Sequence, residues 1–92
     1  MSLIYLYGVI DRISVLYREE QAQLIDMNNE MMRLRIELKE ARDDDYKHIT
    51  VARRNDIRSR LDELYMLTAA CEQRAKGIHD VLEMLLNMLE EE

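Results

Sequence analysis

Residues 3–41 read LIYLYGVIDRISVLYREEQAQLIDMNNEMMRLRIELKEA. Within them Leu3, Leu6, Ile10, Ile13, Tyr17, Glu20, Leu24, Met27, Met31, Leu34, Leu38 and Ala41 follow one another at alternating spacings of three and four, and Glu20 is the one charged member. A period of about 3.5 held that long draws a single narrow seam along a helix of roughly 60 Å, at ~1.5 Å per residue, built to lie against other helices.

Beyond Ala41 the same phase lands on Asp45, His48, Ala52 and Asn55, so the seam is lost. A second one starts at Ile57 and runs through Leu61, Leu64, Thr68, Cys71, Ala75, Ile78, Leu82, Leu85 and Leu89. Between the two stand Asp43, Asp44 and Asp45, like charges with poor helix propensity and good capping chemistry, which predict a turn. The expected fold is therefore all-α: one domain over residues 1–92, with a helix over about 3–42, a turn at about 43–45 and a second helix over about 46–90. One continuous helix with a phase slip is the alternative, because no Gly or Pro enforces the turn. At the start, Leu3 to Tyr7 is apolar all round and rich in strand-formers. It reads either as a helix capped by Ser2 or as a short strand ending at Gly8, and the heptad phase favours the helix.

A two-helix hairpin hides one face of each helix and leaves the other wet, so a second copy completing a dimeric four-helix bundle is expected. Leu3 to Tyr7 and Val81 to Leu89 are the stretches apolar on more than one face. They place the dimer contact at the chain ends, on Leu3, Ile4, Tyr5, Tyr7, Leu86, Met88 and Leu89.

Folding about residue 44 sets Leu6 against Leu82, Ile10 against Ile78, Leu24 against Leu64, Met27 against Leu61 and Met31 against Ile57, with Tyr17 over Cys71. The same register joins Glu20 to Thr68 as a matched polar layer. Arg33 and Glu37, four apart, form an expected surface pair.

The chain holds 13 Lys and Arg against 19 Asp and Glu, net −6, which disfavours direct contact with nucleic acid or anionic lipid and favours basic partners. The imbalance is local. Residues 31–60 carry nine basic and six acidic residues, net +3, and the remainder carries four and thirteen, net −9. No apolar run approaches a membrane span and none has the flanks of a leader, so a cytoplasmic protein is expected. The single Cys71 lies on the second seam, where it reads as a small core side chain.

No catalytic, cofactor or metal site is expected. His48 and His79 lack a second histidine at ligand spacing, and the pairs Asp45 with His48 and His79 with Glu83 are what a highly charged helix contains by chance. Ser2, Ser14 and Ser59 have no nucleophile context, and there is no glycine-rich phosphate loop. Size and class are similar to the AroQ-type chorismate mutases, yet Arg12, Arg35 and Arg54 do not reproduce that family's spacing and none lies in the first seam. The basic cluster Lys47, His48, Arg53, Arg54, Arg58 and Arg60 has only Tyr46 beside it, so it offers no stacking platform for bases.

The acids Asp11, Glu19, Asp26, Glu30, Asp62, Glu63, Glu72, Asp80 and Glu83, with the tail Glu90 to Glu92, read most simply as a solvated face. They also suggest a partner surface, because two copies would display them along a rod about as wide as duplex DNA. The dimer's net −12 is far short of the roughly 35 charges on 60 Å of duplex, so one face could imitate a few phosphates and no more. A chain of this size, charge and helical character, with these acids and no catalytic motif, resembles the small Arn-type anti-restriction proteins of T-even phages. The resemblance implies inhibition of a restriction endonuclease or a nucleoid-associated protein by DNA mimicry, in the host cytoplasm. The basic turn half departs from a uniformly acidic mimic. The other reading is a chaperone or adaptor of the secretion type, whose Met27, Met31, Met32, Met66, Met84 and Met88 cradle an amphipathic partner helix. Ordinary core packing also explains those methionines.

Overall fold

The computed structural model describes residues 2–43 and 49–91. It holds two long antiparallel helices, α1 (Leu3–Asp43) and α2 (Val51–Glu91), packed along their length. No strand occurs among the described residues, and residues 3–7 are helix. The Cα envelope is 66 × 17 × 15 Å with a radius of gyration of 20.2 Å, against about 12 Å for a compact chain of this length.

Both helix starts are capped by a hydroxyl. The Tyr5 amide donates to Ser2 Oγ at 3.2 Å and the Leu6 amide to the Ser2 carbonyl at 3.1 Å. At α2 the Arg53 amide donates to Thr50 Oγ1 at 3.0 Å and the Arg54 amide to the Thr50 carbonyl at 2.9 Å. A cap of this kind satisfies a backbone N–H left over in the first turn, and Thr50 fixes the helix start there. The second helix thus begins at Val51, five residues later than the spacing suggested, with Ile49 and Thr50 outside it. The Asp44 and Asp45 part of the expected turn lies outside the described residues.

The later start moves the register. Contacts across the hairpin join Glu20 to Cys71 and Arg74, Glu30 to Arg60 and Glu37 to Arg53. They pair each α1 residue with one two to six positions later in α2 than a fold about residue 44 would. Leu6 consequently comes level with Leu85, and these two are the buried residues of the open end. Glu20 does not meet Thr68. The Thr68 hydroxyl donates instead to its own helix, at the Tyr65 carbonyl 3.0 Å away. Tyr17 packs on His79, with ring centroids 5.8 Å apart. Glu37 is gripped by Arg53 across the hairpin rather than by Arg33, because a two-point guanidinium contact is stronger than a single surface pair along one helix.

The core is concentrated in the turn half. Ile57 and Leu64 are fully buried, Met31 and Leu61 nearly so, and Met27, Leu34, Leu38 and Ile49 close around them. Such a thin core leaves 7189 Å² of surface accessible, where a compact monomer of 11.0 kDa exposes roughly 5,600 Å².

Candidate interaction surfaces

Three side chains form a polar layer inside the open half. Glu20, whose side chain is 18% exposed, accepts from Arg74 Nε at 3.0 Å and from the Cys71 thiol at 3.1 Å, and its own carbonyl lies 3.1 Å from the same sulfur. The Arg74 guanidinium, followed by the thiol, holds the Glu20 carboxyl below the usual carboxylate range. Burial, reinforced by the adjacent carboxylate, pushes the Cys71 thiol up, so it stays protonated and donates. The layer is internally satisfied and offers neither a nucleophile nor an open ligand position.

The nine candidate acids do not share one surface. Glu30 is held two-pronged by Arg60, at 3.0 and 2.9 Å, and Glu63 by the same guanidinium at 2.8 Å. The Arg60 contact holds the Glu30 carboxyl low. These two are structural braces. Asp11, Glu19, Asp26, Asp62, Glu72, Asp80 and Glu83 are exposed. Asp62, Glu72, Asp80 and Glu83 fall within an arc of about 80° on α2, at ~3.6 residues per turn, and form one acidic strip. Within it His79, Asp80 and Glu83 bring one ligand atom each to within 4.8 Å of the others, all three exposed to solvent. His79 Nδ1 lies 4.0 Å from Asp80.

Of the expected dimer residues, Leu3, Ile4, Tyr5, Tyr7, Leu86 and Met88 are exposed, Ile4 to 87%, and Leu89 is half-buried. The exposed apolar surface extends well beyond the chain ends, in two directions. One patch lies beside the α1/α2 groove of the open half, on Leu16, Leu67, Val81, Met84 and Met88. The other follows the outer side of α1 through Val15, Ile25, Met32 and Ile36. Near its far end a shallow cleft of about 340 Å³ is lined by Met31, Met32 and Ile36, with Arg35 and Lys39 at its edge. Arg35 also stacks over the Tyr65 ring, 5.1 Å from its centre, and donates to the Tyr65 hydroxyl.

Several of these features escaped the reading of the sequence. The Arg74–Glu20 contact depends on a register that is visible only once Thr50 is known to start α2. The outer line of α1 was legible in the sequence, since its apolar positions repeat the three-and-four spacing of the main seam. Among the described residues no helix is long and apolar enough to cross a membrane. Comparison with protein-family models, with curated proteins and with solved structures gives no match.

Proposed function

We propose that the protein is a dimeric, acidic helical interaction protein that acts by contact rather than catalysis, occupying the basic surface of a DNA-binding host protein in competition with DNA. The observation that carries this reading is the α2 strip of Asp62, Glu72, Asp80 and Glu83, which is exposed and makes no cross-helix pair, whereas the acids that brace the hairpin are each matched to an arginine. Exposed carboxylates on a rigid helix, of which among the described residues only Asp80 has an ion-pair partner, His79 at 4.0 Å, are suited to stand in for a few phosphates. Dimerisation is supported by the uncovered apolar surface. The side chains exposed at the chain ends amount to on the order of 800 Å², above the roughly 300–600 Å² of a typical monomer's largest patch and near the ~800 Å² per partner of a standard interface.

The test is displacement of labelled DNA from basic host proteins, restriction endonucleases and nucleoid proteins among them, at two salt concentrations. The wild type is expected to displace DNA at low salt and to lose this steeply as salt rises, because screening acts beyond ~8–10 Å. The variant carrying Asp62→Lys, Glu72→Lys, Asp80→Lys and Glu83→Lys is expected to fold and to displace nothing. Failure of the wild type to displace DNA from any such protein at low salt rejects the reading.

The apolar patch of Leu16, Leu67, Val81, Met84 and Met88 favours a second reading, an adaptor that cradles an amphipathic partner helix. Its binding would persist in salt and fall on Met84→Lys or Met88→Lys.

A further inference from the structure

The outer side of α1 carries a second heptad line: positions 4, 8, 11, 15, 18, 22, 25, 29, 32 and 36 succeed one another at alternating steps of four and three. Six of them, Ile4, Val15, Ala22, Ile25, Met32 and Ile36, are apolar and exposed, Ile25 and Met32 each to 59%. Their exposed area is on the order of 600 Å² per chain, close to what a stable interface takes from each partner once flanking residues are added. A surface helix that packs on one partner needs one such line, and α1 has two.

We propose that this line is an α1-to-α1 seam with a second copy, the two hairpins lying antiparallel about a two-fold axis near residue 20. This rests on the dimer proposed above and specifies which surface forms it. In that arrangement residue i lies roughly opposite residue 40 minus i of the second copy. Ile4 then meets Ile36, Val15 meets Ile25, and Met32 falls over Gly8. Gly8 has no internal reason to lack a side chain, since a Cβ built there meets nothing within 4 Å. The space it leaves is on the outside, where an incoming Met32 needs it.

Charge selects the antiparallel direction. Laid parallel, the −9 portions of two chains would coincide. Laid antiparallel about residue 20, Arg33 and Arg35 of each α1 lie beside the uncharged residues 3–9 of the other rather than level with their own copies. Along the flank of the seam Arg12 comes opposite Asp26 of the second copy, both exposed in the single chain, and two-fold symmetry repeats the pair. Glu19 meets its own mate across the axis, a single repulsion set against two attractions. The four helices then form a row with the α1 helices in the middle, rather than a square bundle closed at the chain ends, and the α2 acid strip stays outside.

Disulfide trapping reads this register. Val15→Cys and Ile25→Cys chains are mixed under mild oxidant, with wild type as baseline because Cys71 is buried. The mixture is expected to give cross-linked dimers and neither variant alone is expected to, since ten residues of offset carry equivalent positions about 15 Å apart, beyond the ~7 Å a disulfide spans. Two further variants give a graded readout by sedimentation velocity. Ile25→Asp should weaken dimerisation on the order of a hundredfold with helicity retained, and Glu19→Gln should tighten it several-fold by removing the repulsion. Cross-linking of one variant with itself, or no cross-link from the mixture when the wild type sediments as a dimer, overturns the seam and leaves the dimer standing. A monomeric wild type overturns both.

Discussion

The two halves of the hairpin solve the same packing problem differently. In the turn half Ile57, Leu61, Leu64 and Met31 form a closed cluster, and Arg53–Glu37 and Arg60–Glu30 seal one flank, with N···O distances of 2.8 and 2.9 Å. In the open half the buried side chains are Leu6, Thr68, Cys71 and Leu85, a polar layer replaces a hydrophobic one, and the flank is apolar and uncovered. The face between the two helices of the turn half is thus closed within one chain, while Met32 and Ile36 on its outer side stay exposed. The open half has the apolar surface of an interface and not enough partner to cover it. Long-chain ionic braces stand where the protein meets water, and bare methionine and leucine stand where it is expected to meet protein.

The largest effect that sharpens this contrast comes from the core. Leu64→Ala removes a fully buried side chain from the closed cluster and is expected to cost about 2–4 kcal/mol, a fall in Tm of roughly 10 °C or more. Leu85→Ala, in the open half, is expected to cost less in dilute protein. Equal losses from the two substitutions would break the comparison.

Acid acts next, through the braces. The carboxyls of Glu20, Glu30 and Glu37 are each held below 4.5, chiefly by hydrogen bonds from Arg74, Arg60 and Arg53. A depressed carboxyl contributes stability that is fully present above its unfolded value and is lost as pH falls through the folded one. Thermal stability should therefore be flat from pH 7 to about 5 and decline below about 4.5, and Glu37→Gln should blunt that decline.

A smaller change, of opposite sign, is expected at the polar layer. Glu20→Leu exchanges a partly buried carboxylate for an apolar seam residue and should raise Tm by a few degrees, while the register fixed by Arg74 and Cys71 loosens. Calorimetry gives the first part and multiphasic hydrogen exchange the second. A lower Tm with unchanged association would show that the layer stabilises rather than specifies.

The helix-and-seam architecture was legible because a period of 3.5 held over ten or more seam positions leaves little else a chain can do. Leu6, Met31, Ile57, Leu61, Leu64, Cys71 and Leu85, the buried apolar residues, all lie on the two seams read from spacing. The register was not legible, because three consecutive aspartates drew the turn to residues 43–45 whereas the Thr50 cap, a local backbone bond, starts α2 at Val51. A displacement of one helical turn leaves every seam residue on the seam and changes only its neighbour. That is why side-chain sizes matched acceptably in both registers, and why the pairing of Glu20 was missed. Nor was the division of the acids legible, since exposed and braced carboxylates look alike until Arg60 is seen between Glu30 and Glu63.

The smallest effect concerns Gly77, in the open half of α2, where an added Cβ meets nothing within 4 Å. Gly77→Ala should stabilise the chain by about 0.5–1 kcal/mol through helix propensity alone. A loss instead would show that another chain approaches the backbone there.

Sedimentation equilibrium across the micromolar range tests the dependence of the open half on a second copy most directly. A reversible dimer of twice the 11.0 kDa chain mass is expected, with a thermal midpoint that rises with concentration. A stable monomer at 11.0 kDa, with a midpoint independent of concentration, would contradict it.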